Sequence, residues 1–198
     1  MAALTESPAR SAPAELVAYI DGGSRGNPGP AGFGVLIQDA RGRTVETVSE
    51  FLGETTNNVA EYRALLAALE YATERQTKRL TVYCDSELVV RQMQGHYRVQ
   101  SPGLKPLHQR AQDLARRLAE FTMKSIPREQ NSFADRLANE AMDRGLSRAQ
   151  TTGETSAPVA ESFTAIVREG KLQPLPPLPH LEEGAEYEVR ARKRNRAM

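Results

Sequence analysis

Two aspartates in this chain each close a short apolar run: Asp21 ends LVAYID and Asp85 ends LTVYCD. Two further acids, Glu61 and Asp135, fall in the first turns of segments with helical spacing, NNVAEYRALLAALEYATE and NSFADRLANEAMDRG. A carboxylate among apolar residues is costly unless it is paired or bound to a metal. Four carboxylates with no His/Cys cluster suit hard, oxygen-seeking cations, Mg²⁺ or Mn²⁺. Two such ions about 4 Å apart clamp an in-line phosphodiester displacement, one activating the attacking water and the other stabilising the leaving oxygen. Each acid also has a plain structural explanation. An acid near a helix N-terminus is favoured by the macrodipole, and Asp at a strand end is a common turn or cap residue. Spacing along the chain does not by itself bring the four together.

Two polar segments adjoin these acids. DGGSRGNPGPAG is a glycine-rich turn carrying Ser24, Arg25 and Asn27. Backbone N–H groups in such a turn can approach sugar or phosphate closely, although an ordinary glycine hairpin has the same composition. It is no Walker loop, because no Gly-Lys-Ser/Thr follows. TTNN, at Thr55 to Asn58, offers hydroxyls and amides at a helix N-terminus. That is a phosphate or base-edge site, or simply a helix cap.

The elements that must hold these residues follow from periodicity. LVAYID, GFGVLIQD and RTVETVSEFLG read as three strands of an antiparallel meander, with a hairpin turn at Asp39–Gly42. Val59, Tyr62, Leu66 and Leu69 mark a helix begun by Thr55, Thr56 or Asn57. LTVYCD is a buried strand, SELVVRQMQ a helix running to Gly95, LKPLHQRAQDLARRLAEF a long helix, and TMKSIPR a fifth strand. The last helix is expected to be capped by Asn131 and to end at Gly145. The order βββαβααβα predicts a mixed α/β layer fold.

Composition narrows the class. The 198 residues carry 26 basic and 25 acidic side chains, for a formal charge of +1, so bulk charge does not mark a nucleic-acid binder; a local basic groove is still compatible. The chain is 39% hydrophobic, which suffices for a core. No apolar run approaches the roughly 18 residues of a membrane span, so no membrane partner is expected. One Cys excludes a disulfide framework and a multi-Cys zinc site, and the first 14 residues lack the apolar stretch of a secretory signal. A reducing cytoplasm is the expected compartment. Residues 1–14 read as a loose tail, 15–145 as the catalytic domain, 146–162 as a linker, and 163–198 as a small β-module or basic tail. In that tail FTAIVREGKLQPL predicts a hairpin turning at Glu169-Gly170, with a third strand at Glu188–Ala191.

Taken together, YIDGGSRGNPGPAGFGVLI, TTNNVAEYRALLAAL, VYCDSELVVRQM and REQNSFADRLANEAM resemble type 1 ribonuclease H over roughly Leu16 to Gly145. The resemblance implies a ribonuclease H-like five-stranded mixed sheet, three antiparallel strands then two parallel, flanked by helices. It implies hydrolysis of the RNA strand of RNA–DNA hybrids with two Mg²⁺ ions, leaving 3′-hydroxyl and 5′-phosphate ends. The family's four carboxylates fall on Asp21, Glu61, Asp85 and Asp135. Asp21 would bridge both metals, with Asp135 on the nucleophile side and Glu61 and Asp85 on the leaving-group side. Asn27, Thr56, Asn57 and Asn58 match family positions that contact the hybrid. Glu87 stands where the best-known members carry Gln, which removes an amide donor. The segment GHYRVQSPGLKPL is too short for the family's basic handle, and SIPREQN lacks the His found there in members with a handle. Arg128 or Glu129 is the substitute, and Arg128 joins the candidate substrate-binding set. His96 and His108 read as surface polar residues.

The segment from Phe163 onward is similar to the small β-modules of antitoxin-like proteins; a disordered basic extension fits the same residues. A tail of either kind could grip phosphates, and the module could instead serve self-association or a protein partner. Two other functional classes fit parts of the pattern. One is a non-catalytic nucleic-acid module, which would not need all four acids. The other is a phosphoryl-transfer or exonuclease relative, against which TTNN and the Asn27 loop argue.

Overall fold

The computed structural model describes residues 14–152 and two strands at 164–168 and 171–175. Strand β1 (Glu15–Ser24) buries Leu16, Ala18 and Ile20 on one face, as alternation requires. It pairs antiparallel with β2 (Gly29–Asp39), which pairs antiparallel with β3 (Thr44–Thr55). The β2–β3 turn is closed by the Asp39 carboxylate, which accepts from the backbone N–H of Arg41 and Arg43 at 2.9 and 3.0 Å. Gly42 takes the left-handed conformation at φ 74° that this turn needs. On the other side of β1, strands β4 (Arg79–Cys84) and β5 (Glu120–Ser125) add in parallel. The sheet order is β3-β2-β1-β4-β5, three antiparallel strands followed by two parallel ones.

Helix α1 (Asn57–Glu74) starts where the Thr56 side chain accepts from Val59 N–H, and it buries Tyr62, Leu65, Leu66 and Leu69. These meet Ile20, Phe33, Val35, Leu80 and Val82 in the principal core. Helix α2 (Glu87–Met93) is capped by Ser86, and α3 (Lys105–Ala115) packs on α1. The buried Tyr62 hydroxyl donates to Gln92 Oε1 at 2.9 Å, and a His108 ring nitrogen lies 3.2 Å from the Gln92 carbonyl. His108 is thus a half-buried tie between helices rather than a surface group; His96 is exposed.

Two helix ends differ from expectation. Helix α3 stops at Ala115, and Glu120 and Phe121 belong to β5, where they pair with Arg79 and Leu80. Strand pairing there overrides a helical pattern that continues in the sequence. Helix α4 (Ser132–Thr152) does not end at Gly145. A Cβ at Gly145 would lie 2.2 Å from the Phe51 ring, so the glycine is there to let an aromatic ring lie against a continuous helix.

The chain divides into two compact units, one ending at Ser156 and the other beginning at Ala157. In the second, β6 (Thr164–Arg168) and β7 (Lys171–Leu175) pair antiparallel from Thr164↔Leu175 to Arg168↔Lys171, forming the expected hairpin. The N-terminal tail, the Glu169-Gly170 turn, most of the linker and the Glu188–Ala191 segment lie outside the described residues. Among the described residues no helix is long and apolar enough to cross a membrane.

Candidate active site

Close approaches at two glycines assemble the site. Asp21 lies near the end of β1 and pairs with Gly34 of β2. A Cβ on Gly34 would stand 2.4 Å from the Ala134 carbonyl and 2.5 Å from Leu137 Cβ. The first turns of α4 therefore press directly on the sheet beside Asp21, and they carry Asp135. A Cβ on Gly22 would stand 2.2 Å from the Ala60 carbonyl carbon and 2.3 Å from Glu61 N. Helix α1 thus touches β1 backbone to backbone from the opposite face, which delivers Glu61. Asp85 follows the last residue of β4, the parallel neighbour of β1. The structure brings all four predicted carboxylates into one cleft of about 390 Å³, with Asn57, Ser86, Arg128 and Asn139 also in its walls.

The acids are held unequally. Asp135 accepts from Arg128 at 2.6 Å through Oδ1 and from Asn139 Nδ2 at 3.1 Å through Oδ2. Glu61 Oε1 accepts from Asn57 Nδ2 at 3.2 Å, while its buried Oε2 has no hydrogen-bond partner. Burial pushes Asp21 up to about 7, and the charges of Asp85 and Asp135 add to this against the pull of Arg128. Burial likewise pushes Glu61 up to about 7; the nearby Ser86 hydroxyl pulls it back, and Asp21 and Asp85 raise it further. A cleft with this surplus of negative charge, an orphaned carboxylate oxygen and only oxygen donors fits a hard divalent cation. The acids line the cleft without closing on one point: among the described residues, no three acidic, His or Cys side chains form a ready ligand set.

The expected substrate contacts separate. Asn57 and Arg128 line the cleft. Asn27 is exposed at its edge, where its Oδ1 accepts from Asn57 N–H at 3.3 Å. Thr56 spends its hydroxyl on the cap of α1. Asn58 is half-buried in the first turn of α1 and is not part of the cleft wall. Three residues with clear places here carried no separate reading as site residues. Asn139 follows Asp135 by four positions, a helical spacing that signals a side-chain pair. Arg25 lines the cleft and pairs with Asp143 of α4, a contact between distant segments with no sequence signature. Asn131, expected to cap α4, turns its side chain inward instead: Nδ2 donates to the Ile20 carbonyl, and Oδ1 has no partner.

A mixed five-stranded sheet with acids at two adjacent parallel strand ends, and one from a helix on each face, defines the ribonuclease H-like class of α/β domain. The chain belongs to the reverse transcriptase-like family, which it matches over residues 19–141. It is 43% identical over 147 residues to the bifunctional protein Rv2228c of Mycobacterium tuberculosis, covering 74% of this chain and 40% of that one. It is 40% identical over 126 residues to ribonuclease HI of Halobacterium salinarum, covering 64% of this chain and 63% of that one. Among solved structures, LC11-RNase H1 in complex with an RNA/DNA hybrid aligns with TM-score 0.63 and 46% identity, covering 66% of this chain and 99% of that one. The chain spans about 40% of the length of the mycobacterial relatives it matches.

Proposed function

We propose that residues 15–152 form a ribonuclease H that hydrolyses the RNA strand of RNA–DNA hybrids, leaving 3′-hydroxyl and 5′-phosphate ends. The observation that carries this reading is the meeting of Asp21, Glu61, Asp85 and Asp135 in one open cleft. The related LC11 enzyme bound to a hybrid supports the choice of substrate. Two Mg²⁺ ions, or Mn²⁺ in their place, would be held by these four acids and would supply Lewis acidity toward water and the phosphodiester. Asp21, whose charge is felt together with those of Asp85 and Asp135, would be shared between the two ions. Asp135 serves the nucleophile side, and its two oxygens are oriented by Arg128 and Asn139. Glu61 and Asp85 would hold the ion on the leaving-group side. The exposed Arg128 guanidinium can pass from Asp135 to a substrate phosphate. Asn57, at the start of α1, meets the minor groove, where 2′-hydroxyls distinguish RNA from DNA.

A labelled hybrid assayed with and without Mg²⁺ tests the reading. Asp21→Asn is expected to lower turnover by about 10³-fold or more while hybrid binding survives, since removing a central catalytic group costs on that order. Hybrids with four consecutive ribonucleotides should be cut, and those with one should not. Near-normal turnover by D21N, or efficient cleavage at a lone ribonucleotide, overturns the assignment.

A further inference from the structure

Asn131 is 1% exposed, one of three buried polar residues in the described domain. It occupies the residue just before α4, where Asn ordinarily turns its side-chain oxygen onto the first free N–H groups of the helix. Here it does not. Its Nδ2 donates to the Ile20 carbonyl at 2.9 Å and faces Asp85 Oδ1 at 3.3 Å, and its Oδ1 accepts from nothing. Both partners are acceptors, so only the NH₂ end of the amide can face them. The backbone carbonyl of the same residue accepts from Asp135 N–H at 3.1 Å. One residue therefore touches the peptide immediately before Asp21, the carboxylate of Asp85 and the backbone of Asp135. A capping bond is forgone and a buried acceptor left unpaired to make this junction.

Resting on the proposal that the four acids bind divalent cations, we infer that Asn131 is a positioning residue. It fixes the spacing of Asp21, Asp85 and Asp135 by bridging β1, β4 and α4 from behind. It touches neither substrate nor the reacting atoms. Its two N–H groups neutralise a carbonyl and a carboxylate that would otherwise face each other unscreened, and no residue lacking a donor can replace it.

The test measures Mg²⁺ affinity of the full chain by calorimetry without substrate, and kcat and KM on the hybrid. Asn131→Ala is expected to weaken Mg²⁺ binding and lower kcat by about tenfold each, with KM for hybrid within about threefold. Leu16→Ala is the stability control: its side chain is fully buried at the far end of β1. It should lose comparable melting temperature yet keep Mg²⁺ affinity and kcat within about twofold. Asn131→Leu keeps about the size of the residue but neither its donor nor its acceptor, so it should fold and still lose at least tenfold in kcat. Wild-type Mg²⁺ affinity and kcat in N131A, wild-type kcat in N131L, or an equal loss in L16A overturns the inference. A wild-type protein that neither binds Mg²⁺ nor cuts hybrid overturns the cation reading instead.

Discussion

Asp21 and Glu61 hold their protons well above the usual carboxylate range, each up to about 7, chiefly because they are buried. An acid whose folded value lies above its unfolded one binds an extra proton in the native state between the two values. Its favourable contribution is complete below the unfolded value and is lost as pH rises through the folded one. For these two groups that window runs from about 4 to about 7. The metal-free protein should therefore lose stability across this window. In EDTA at pH 8, Asp21→Asn should melt about 5 °C above wild type, and the advantage should vanish near pH 4. Thermal unfolding at both pH values checks this; an equal difference at both would show that charge burial is not the cause. Asn131 shows where reading by residue type stopped. Its place before a helix marks it as a cap, and only the fold reveals that its amide is spent on Ile20 and Asp85.

At the scale of elements, the strands and most helices were legible because their periods are strong. The meander, the existence of the fourth and fifth strands and α1 match their sequence signals closely, while the parallel pairing came only with the family resemblance. The failures share one cause: a glycine or helical pattern acquires its meaning from a partner far along the chain. Gly145 reads as a helix stop until Phe51 is seen against it. Gly34 lies unremarked inside a predicted strand, and its role shows only when α4 is seen pressed on it. The acids themselves were legible, but their convergence depends on these close approaches. Gly34→Val should force α4 off the sheet, with a loss of about 3 kcal/mol or more from overpacking and a fall in kcat larger than any change in KM. Gly103→Ala meets nothing within 4 Å and should stay within about 0.5 kcal/mol of wild type. Denaturant melts with paired kinetics decide it; an active, stable G34V variant would show that α4 can seat Asp135 without lying so near the sheet.

Across the whole molecule, residues 15–145 carry 17 basic and 17 acidic side chains, so bulk charge lends this unit little attraction for a nucleic acid. The last 13 residues hold Arg190, Arg192, Lys193, Arg194 and Arg196 against Glu186 and Glu188. We propose that this end supplies electrostatic grip. Truncation after Ser156, which keeps α4 whole, should leave kcat intact and raise KM several-fold. It should also flatten the dependence of log KM on log salt by about one for each phosphate the tail no longer neutralises. A salt series on both proteins measures this. Unchanged KM at every salt concentration would assign the tail to a protein partner or self-association, and a diminished kcat would show that it supports the catalytic unit. The order of the acids along the chain also bears on synthesis. Asp21, Glu61 and Asp85 precede α4, and Asp135 arrives with it. A growing chain that has not yet released α4 has three of its four acids and an uncovered Gly34 on β2. The proposed four-acid set is thus complete only once α4 has been made.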